Sequence, residues 1–155
     1  MGIYLNPGSA MFQKSLKSKI YVDKSGLLAI LNELVDTEQR YVCVSRPRRF
    51  GKSMAANMLA AYYGSSEDTS ALFASLEISQ CAGYRDHLNQ YDVLKINMQD
   101  FLSESQSIED MLAHLTACLI RDLKNGFPQI DFSYAKSLVS VMRCLLYTSP
   151  SPRDA

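Results

Sequence analysis

The sequence lacks the features that mark membrane, secreted or strongly basic proteins. It has no apolar run that approaches the length of a transmembrane helix, and its polar start, which contains Gly and Pro, does not resemble a signal peptide. It also has no net charge, because 16 Lys and Arg residues balance 16 Asp and Glu residues. Neutrality argues against a protein that binds nucleic acid over its whole surface, although it leaves room for a local basic patch. We expect a cytoplasmic protein without a membrane partner.

Cysteine is scarce and scattered. The four residues Cys43, Cys81, Cys118 and Cys144 include no close pair, so they match neither a zinc site nor a disulfide framework. We expect them to be reduced and mostly buried. The rest of the composition, 47% hydrophobic and 21% charged over 155 residues, is sufficient for one domain with a hydrophobic core.

The most informative stretch is residues 41–63, which read YVCVSRPRRFGKSMAANMLAAYY. The apolar start, residues 41–44, is typical of a short buried strand. The Ala- and Met-rich second half predicts a helix that stops at Gly64, a residue suited to a left-handed helix end. A basic loop that ends in Gly-Lys-Ser lies between them. Strand, loop, Gly-Lys-Ser and helix form the context that a phosphate-binding loop (Walker A) requires.

The residue types of this loop suit a nucleoside triphosphate with magnesium. Unpaired backbone N–H groups and the helix dipole at a helix start attract anions. We predict that Lys52 supplies charge to the phosphates, that the Ser53 hydroxyl is a ligand of Mg²⁺, and that Phe50 packs under the loop. The predicted cofactor-binding residues are Arg48, Arg49, Phe50, Gly51, Lys52, Ser53 and Met54.

The loop departs from the usual pattern at Arg46, where a glycine normally stands. One alternative is therefore a basic surface turn that ends in Gly-Lys-Ser by chance. A second is a non-enzymatic module that binds the nucleic-acid backbone through Arg46, Arg48, Arg49 and Lys52. A third is a structural or interaction fragment that has no ligand.

Apolar spacing predicts the remaining elements only in outline. It predicts a helix over residues 27–35, another from the N-cap Ser107 to Gly126, and the start of a further helix in residues 134–143. Residues 91–98, YDVLKINM, are the second predicted strand. Residues 2–19 are predicted as an extended or loop segment.

The segments SRPRRFGKS, IYVDKSGLL (residues 20–28) and GIYLNPGSAMF (residues 2–12) together resemble the AAA-ATPase-like family of bacterial P-loop proteins. In that family Arg-Pro-Arg-Arg-Phe-Gly-Lys-Ser is the family's own phosphate loop, so Arg46 is expected there. The resemblance covers about residues 1–143. It implies an α/β fold of the P-loop NTPase type, with a parallel sheet between two layers of helices, and it implies ATP and Mg²⁺ as cofactors.

The resemblance also implies partners. The family commonly carries a C-terminal nuclease-like domain, so nucleic acid is an implied partner, and oligomerisation is left open. By analogy with related P-loop ATPases, Tyr21 and Asp23 are candidates near the base or ribose. The alternative is that Tyr21 simply packs and that Asp23 caps the helix after it.

No acidic residue outside the loop is assigned as a further ligand of Mg²⁺. The family's acidic strand is expected as an apolar run that ends in Asp-Glu, and no such run occurs before residue 143. Asp100, just past the second predicted strand, stays open as a candidate. Residues 144–155, CLLYTSPSPRDA, resemble a translated sequencing adapter, and we expect a non-native, disordered tail. On this interpretation residues 1–143 are the N-terminal part of a domain whose sheet is incomplete here, and hydrolysis belongs to the full-length protein.

Overall fold

The computed structural model describes residues 2–148, which form two compact units. The first, here the loop unit, is Asn6–Lys95. The second, here the C-terminal unit, consists of residues 2–5 and 96–148.

Helices account for the regular structure of both units. Those of the loop unit are α1 (Ala10–Leu16), α2 (Gly26–Leu34), α3 (Lys52–Tyr63), α4 (Ser70–Phe73), a 3-10 helix (Glu77–Gln80) and α5 (Tyr84–His87). Those of the C-terminal unit are α6 (Met98–Glu104), α7 (Ile108–Gly126) and α8 (Leu138–Thr148).

The fold class predicted from the sequence, helices on both faces of a parallel sheet, is wrong for the described chain. Residues 2–148 contain no β-strand but only isolated bridges, one of which is parallel and joins Gly64 to Tyr91. Residues 41–44 form no regular secondary structure and are exposed, with Tyr41 84% exposed. β-forming residues make a strand only where a neighbouring strand completes their hydrogen bonds. Residues 41–44 have no bridge partner among the described residues, and residues 91–98 form isolated bridges only, such as that of Tyr91 with Gly64.

Helix predictions were more accurate than strand predictions. Helices α2, α3 and α7 are confirmed, and α8 begins inside the segment where a helix was expected. The Ser107 Oγ accepts the backbone N–H of Asp110 at 3.1 Å, which confirms the predicted N-cap of α7. Helix α1 was missed because Phe12 is its one buried residue, and one apolar anchor gives no detectable period.

Gly64 ends α3 as predicted, but not in the predicted conformation. Its φ of −64° and ψ of 131° are extended rather than left-handed. Glycine is required for a different reason: a Cβ atom at this position would lie 2.7 Å from the carbonyl oxygen of Ala60. The chain therefore leaves the helix with a close backbone approach that no other residue permits.

The core of the loop unit fixes the C-terminal half of α3. Tyr62 is fully buried, and its hydroxyl donates to the Tyr84 carbonyl at 2.7 Å and accepts from the Asn32 Nδ2 at 2.9 Å. Burial raises the pKa of Tyr62. Phe73 packs edge-on against Tyr62 and stacks on Phe12, with ring centroids 5.3 and 5.0 Å away respectively. These contacts involve the C-terminal half of α3, whereas the first residues of the helix, 52–54, are exposed.

Asn89 closes the C-terminal end of the same helix. Its backbone adopts a left-handed φ of 56°, and its backbone N–H donates to the Tyr62 carbonyl at 2.7 Å. Its side chain donates to the Gly64 carbonyl at 2.8 Å and accepts the N–H of Thr69 at 3.1 Å. One side chain thus satisfies polar backbone groups on both sides of the turn after α3.

The C-terminal unit is built on α7. Phe101, Met111 and Cys118 form a buried cluster, against which Tyr4 packs. The nearly buried Asp122 carboxylate accepts the backbone N–H groups of Tyr4 at 2.6 Å and Leu5 at 3.2 Å. This carboxylate ties residues 2–5 to α7.

The cysteines differ in burial. Cys118 is buried as predicted, whereas Cys43 is exposed, so general burial of the thiols was a wrong prediction. Cys43 is exposed because the segment predicted as a buried strand lies on the surface.

The predicted non-native tail lies mostly outside the described residues. Residues 144–148 continue α8, and residues 149–155 are not described. The adapter origin of residues 144–155 stays a prediction.

Replacement of Asn89 by alanine is expected to destabilise the loop unit by about 2 kcal/mol. The variant loses the side-chain hydrogen bonds to Gly64 and Thr69, and alanine disfavours a left-handed φ. Urea unfolding followed by circular dichroism measures the change. Asn125→Ala is the matched control, because Asn125 is exposed and its side chain makes no hydrogen bond to a described residue. Equal midpoints for the two variants would contradict this role of Asn89.

Candidate functional site

The loop before α3 has the backbone shape of an anion-binding turn. Arg49 and Gly51 both have left-handed φ angles, 67° and 79°, and Gly51 is the N-cap of α3. Successive residues of alternating handedness turn their N–H groups toward a common concavity. Glycine adopts this conformation without strain, which explains why it precedes Lys52.

The backbone N–H groups of residues 50–54 have no hydrogen-bond acceptor among the described residues. The first satisfied N–H of the helix belongs to Ala55, which donates to the Gly51 carbonyl at 2.9 Å. The 12 residues of α3 add their aligned dipole to these free donors. The start of α3 therefore combines free donors with partial positive charge.

Two lysines lie against this loop and bind its carbonyl groups. Lys52 Nζ donates to the Arg46 carbonyl at 2.5 Å, and Lys24 Nζ donates to the Phe50 carbonyl at 3.1 Å. The side chains of Arg46, Arg48 and Arg49 are exposed and make no hydrogen bond or ion pair with a described residue. The five cationic residues on or beside the loop thus have no carboxylate partner in the described chain.

Two cavities meet at the loop. The loop cavity, about 450 Å³, is lined by Lys24, Arg46, Phe50, Gly51 and Lys52, together with apolar side chains. The aromatic cavity, about 320 Å³, is lined chiefly by apolar groups. Its main members are Ile20, Tyr21, Val22, Phe50 and Met54. Both volumes are in the range of small-molecule sites.

The structure brings only some of the predicted site residues together at the two cavities. Lys52 lines the loop cavity, Arg49 and Met54 line the aromatic cavity, and Phe50 and Gly51 line both. Ser53 and Arg48 are exposed and line neither. Phe50 is 59% exposed, so the expectation that it packs under the loop is wrong.

Asp23 has a structural role, but it does not cap the helix after it, since the N-cap of α2 is Ser25 and no side chain makes a cap hydrogen bond there. Its carboxylate accepts the N–H of Ser25 at 2.8 Å and the N–H of Glu77 at 2.7 Å. Partial burial raises the pKa of Asp23, but these hydrogen bonds outweigh burial and the net pKa is below its usual value. Tyr21 packs edge-on against Phe12, as the alternative held, and it also lines the aromatic cavity. Its place near the base or ribose stays a prediction.

Lys24 was missed in the sequence. In the sequence it is only a cationic residue in the segment Asp23-Lys24-Ser25. The carbonyl that it contacts is 26 positions further along the chain. No local pattern connects residues at that separation.

Asp100, the candidate for magnesium, and Asp92, in the second predicted strand, both accept hydrogen bonds from other residues. Asp100 lies in the first turn of α6 and accepts the Asn97 Nδ2 at 2.9 Å. Asp92 accepts the Asn6 Nδ2 at 2.8 Å and the Ser65 hydroxyl at 3.0 Å. Within residues 2–148, no group of three or more His, Cys, Asp or Glu residues is arranged to hold a metal ion.

Free helix-start amides, flanking lysines and an adjoining cavity are the features that anion sites at helix starts share. The chain belongs to the family described as predicted AAA-ATPase, whose model matches residues 9–148. This match confirms the resemblance seen in the sequence. No curated protein and no solved structure matches the chain. Among the residues that the structure describes, no helix has the length and apolar character needed to cross a membrane.

Replacement of Asp23 by asparagine is expected to lower stability at neutral pH. Asparagine keeps one acceptor and turns an N–H₂ group toward a backbone donor, so one of the two hydrogen bonds is lost. Because the folded pKa of Asp23 is lowered, its contribution is complete above the unfolded pKa of about 3.9 and disappears as pH falls through the folded value.

The difference in melting temperature between wild type and Asp23→Asn should therefore shrink below about pH 3.9. Glu38→Gln is the control, since Glu38 is exposed and makes no hydrogen bond to a described residue. A difference that is constant from pH 7 to pH 3 would refute the assignment.

Proposed function

We propose that the chain is the ATP-binding module of an AAA-ATPase-like protein and that residues 46–53 are its phosphate loop. The observation that carries the proposal is the set of acceptor-free N–H groups at residues 50–54, placed beside the ammonium group of Lys52. Family membership supports the same function. The proposal needs no sheet, because the free donors belong to the helix start itself.

On binding, phosphate oxygens of ATP replace a loop carbonyl as the hydrogen-bond acceptor of Lys52. Lys52 gives up the neutral carbonyl of Arg46 for a charged phosphate oxygen, and the free amides donate to the remaining oxygens. The Ser53 hydroxyl is exposed and makes no hydrogen bond to a described residue, so it suits one ligand position of Mg²⁺. When bound, the ion neutralises charge on the phosphate oxygens.

The aromatic cavity is the proposed site of the base. It adjoins the loop cavity through Phe50 and Gly51, and the ring of Tyr21 forms part of its wall. A flat, apolar ring system suits such a cavity because aromatic surfaces are attracted to one another and lose contact with water.

Binding, and not hydrolysis, is assigned to the described residues. Phosphoryl transfer requires an acid that holds the metal and a group that orients water, and neither is identified in residues 2–148. Hydrolysis in a longer protein, a nucleic-acid partner, oligomerisation and a cytoplasmic location remain predictions.

A second candidate function is contact with the nucleic-acid backbone. The exposed, unpaired guanidinium groups of Arg46, Arg48 and Arg49 favour it. The concave arrangement of free amides favours the terminal phosphates of a nucleotide instead, since a backbone phosphodiester offers fewer free oxygens.

Replacement of Lys52 by alanine is expected to weaken binding of ATP with Mg²⁺ by about 10- to 100-fold, the effect of one lost charged hydrogen bond. Isothermal titration calorimetry measures it. Lys17→Ala, at the exposed C-cap of α1, is the matched control and should bind as the wild type does.

Wild-type protein that binds no ATP, or a Lys52→Ala variant that binds it normally, would reject the nucleotide proposal. If oligonucleotide binds instead, with a steep loss of affinity as salt rises, the second candidate function is correct.

Replacement of Tyr21 by alanine is expected to weaken ATP binding by about 10-fold and to leave binding of inorganic tripolyphosphate unchanged, because only the base loses a contact. Tyr21→Phe keeps the ring and should bind ATP as the wild type does. Titration of each variant with both ligands makes the measurement. If the binding of both ligands is weakened equally, Tyr21 stabilises the loop and makes no contact with the base.

A further inference from the structure

We propose that Lys24 is a second phosphate-binding residue, which contacts the ligand where the loop cavity and the aromatic cavity meet. This inference rests on the proposed function and adds to it a residue outside the phosphate loop.

The position of Lys24 is the first argument. It lines both cavities, and its Nζ lies 3.1 Å from the Phe50 carbonyl oxygen. A Cβ atom placed on Gly51 would also lie 3.1 Å from that Nζ. The ammonium group is therefore adjacent to the N-cap of α3, beside the free amides.

The anchoring of its neighbours is the second argument. Asp23 accepts two backbone N–H groups, and the fully buried Ser25 accepts the N–H of Ile78 through its Oγ at 3.1 Å. The hydrogen bonds from Glu77 and Ile78 come from the 3-10 helix, so residues 23–25 are fixed to another element. A cation on a fixed backbone loses less conformational entropy when it binds a ligand.

Charge is the third argument. Lys24 and Lys52 both line the loop cavity, together with Arg46 and next to the positive end of α3. Lys24 makes no ion pair with a described residue, and its single acceptor is a neutral carbonyl. Like charges gathered in this way repel one another, and an anion between them removes the repulsion.

The two lysines are expected to contact different phosphates. Lys52 belongs to the loop cavity alone, whereas Lys24 lies at its junction with the proposed base site. Lys24 therefore serves the phosphate nearest the sugar, and Lys52 serves the terminal phosphates. Loss of Lys24 should therefore weaken the binding of ADP and the binding of ATP by the same factor.

The test compares wild type with Lys24→Met, which keeps the aliphatic stem, and Lys24→Arg, which keeps the charge. ATP and ADP are titrated calorimetrically at low and at high NaCl, and a thermal melt confirms that each variant folds. Lys17→Met is the control, expected to match the wild type. Lys24→Met should bind both nucleotides about 10- to 100-fold more weakly at low salt. Its affinity should also depend less on NaCl, because one charged contact is gone.

Lys24→Arg should bind more tightly than Lys24→Met. The inference is overturned if Lys24→Met binds as the wild type does, if Lys24→Arg is no better than Lys24→Met, or if affinity falls while its salt dependence is unchanged. The last result would mean that Lys24 only holds the Phe50 carbonyl. Wild-type protein that binds neither nucleotide rejects the proposed function itself, so the two failures are distinguishable.

Discussion

Everything at the candidate site depends on a helix that is held at one end and open at the other. Buried Tyr62 and the hydrogen bonds of Asn89 fix the C-terminal part of α3 in the core of the loop unit. The N-terminal amides of the same helix have no acceptor in the described chain. A rigid helix with free donors at one end presents a fixed dipole and fixed N–H groups, and anions bind such an arrangement without reorganising it.

The cationic side chains around this helix start reinforce the same property. Lys24 and Lys52 come from distant parts of the chain, and each binds a neutral carbonyl of the loop. Carbonyl groups compensate the charge of an ammonium only partly, so the site carries a net positive potential. Membership of the predicted AAA-ATPase family is consistent with the proposed ligand, a nucleoside triphosphate.

Local sequence predicted helices well and strands poorly, for a physical reason. A helix satisfies its backbone hydrogen bonds within one segment, so the apolar spacing of α7 and the N-cap Ser107 were sufficient to place it. A strand satisfies them only with a distant segment, so residues 41–44 could not be placed from their own composition. Gly64 shows the same limit, because a contact with the Ala60 carbonyl, and not a left-handed φ, requires glycine there.

The sequence alone determined the family, the turn that ends at Gly51, and the helix that begins at Lys52, because each depends on residues close together in the chain. Only the tertiary structure decided that Lys24 reaches the Phe50 carbonyl, that Asp23 holds the backbone of Glu77, and that Phe50 lines two cavities. These contacts join residues tens of positions apart, and their geometry follows from how the helices pack rather than from any local pattern.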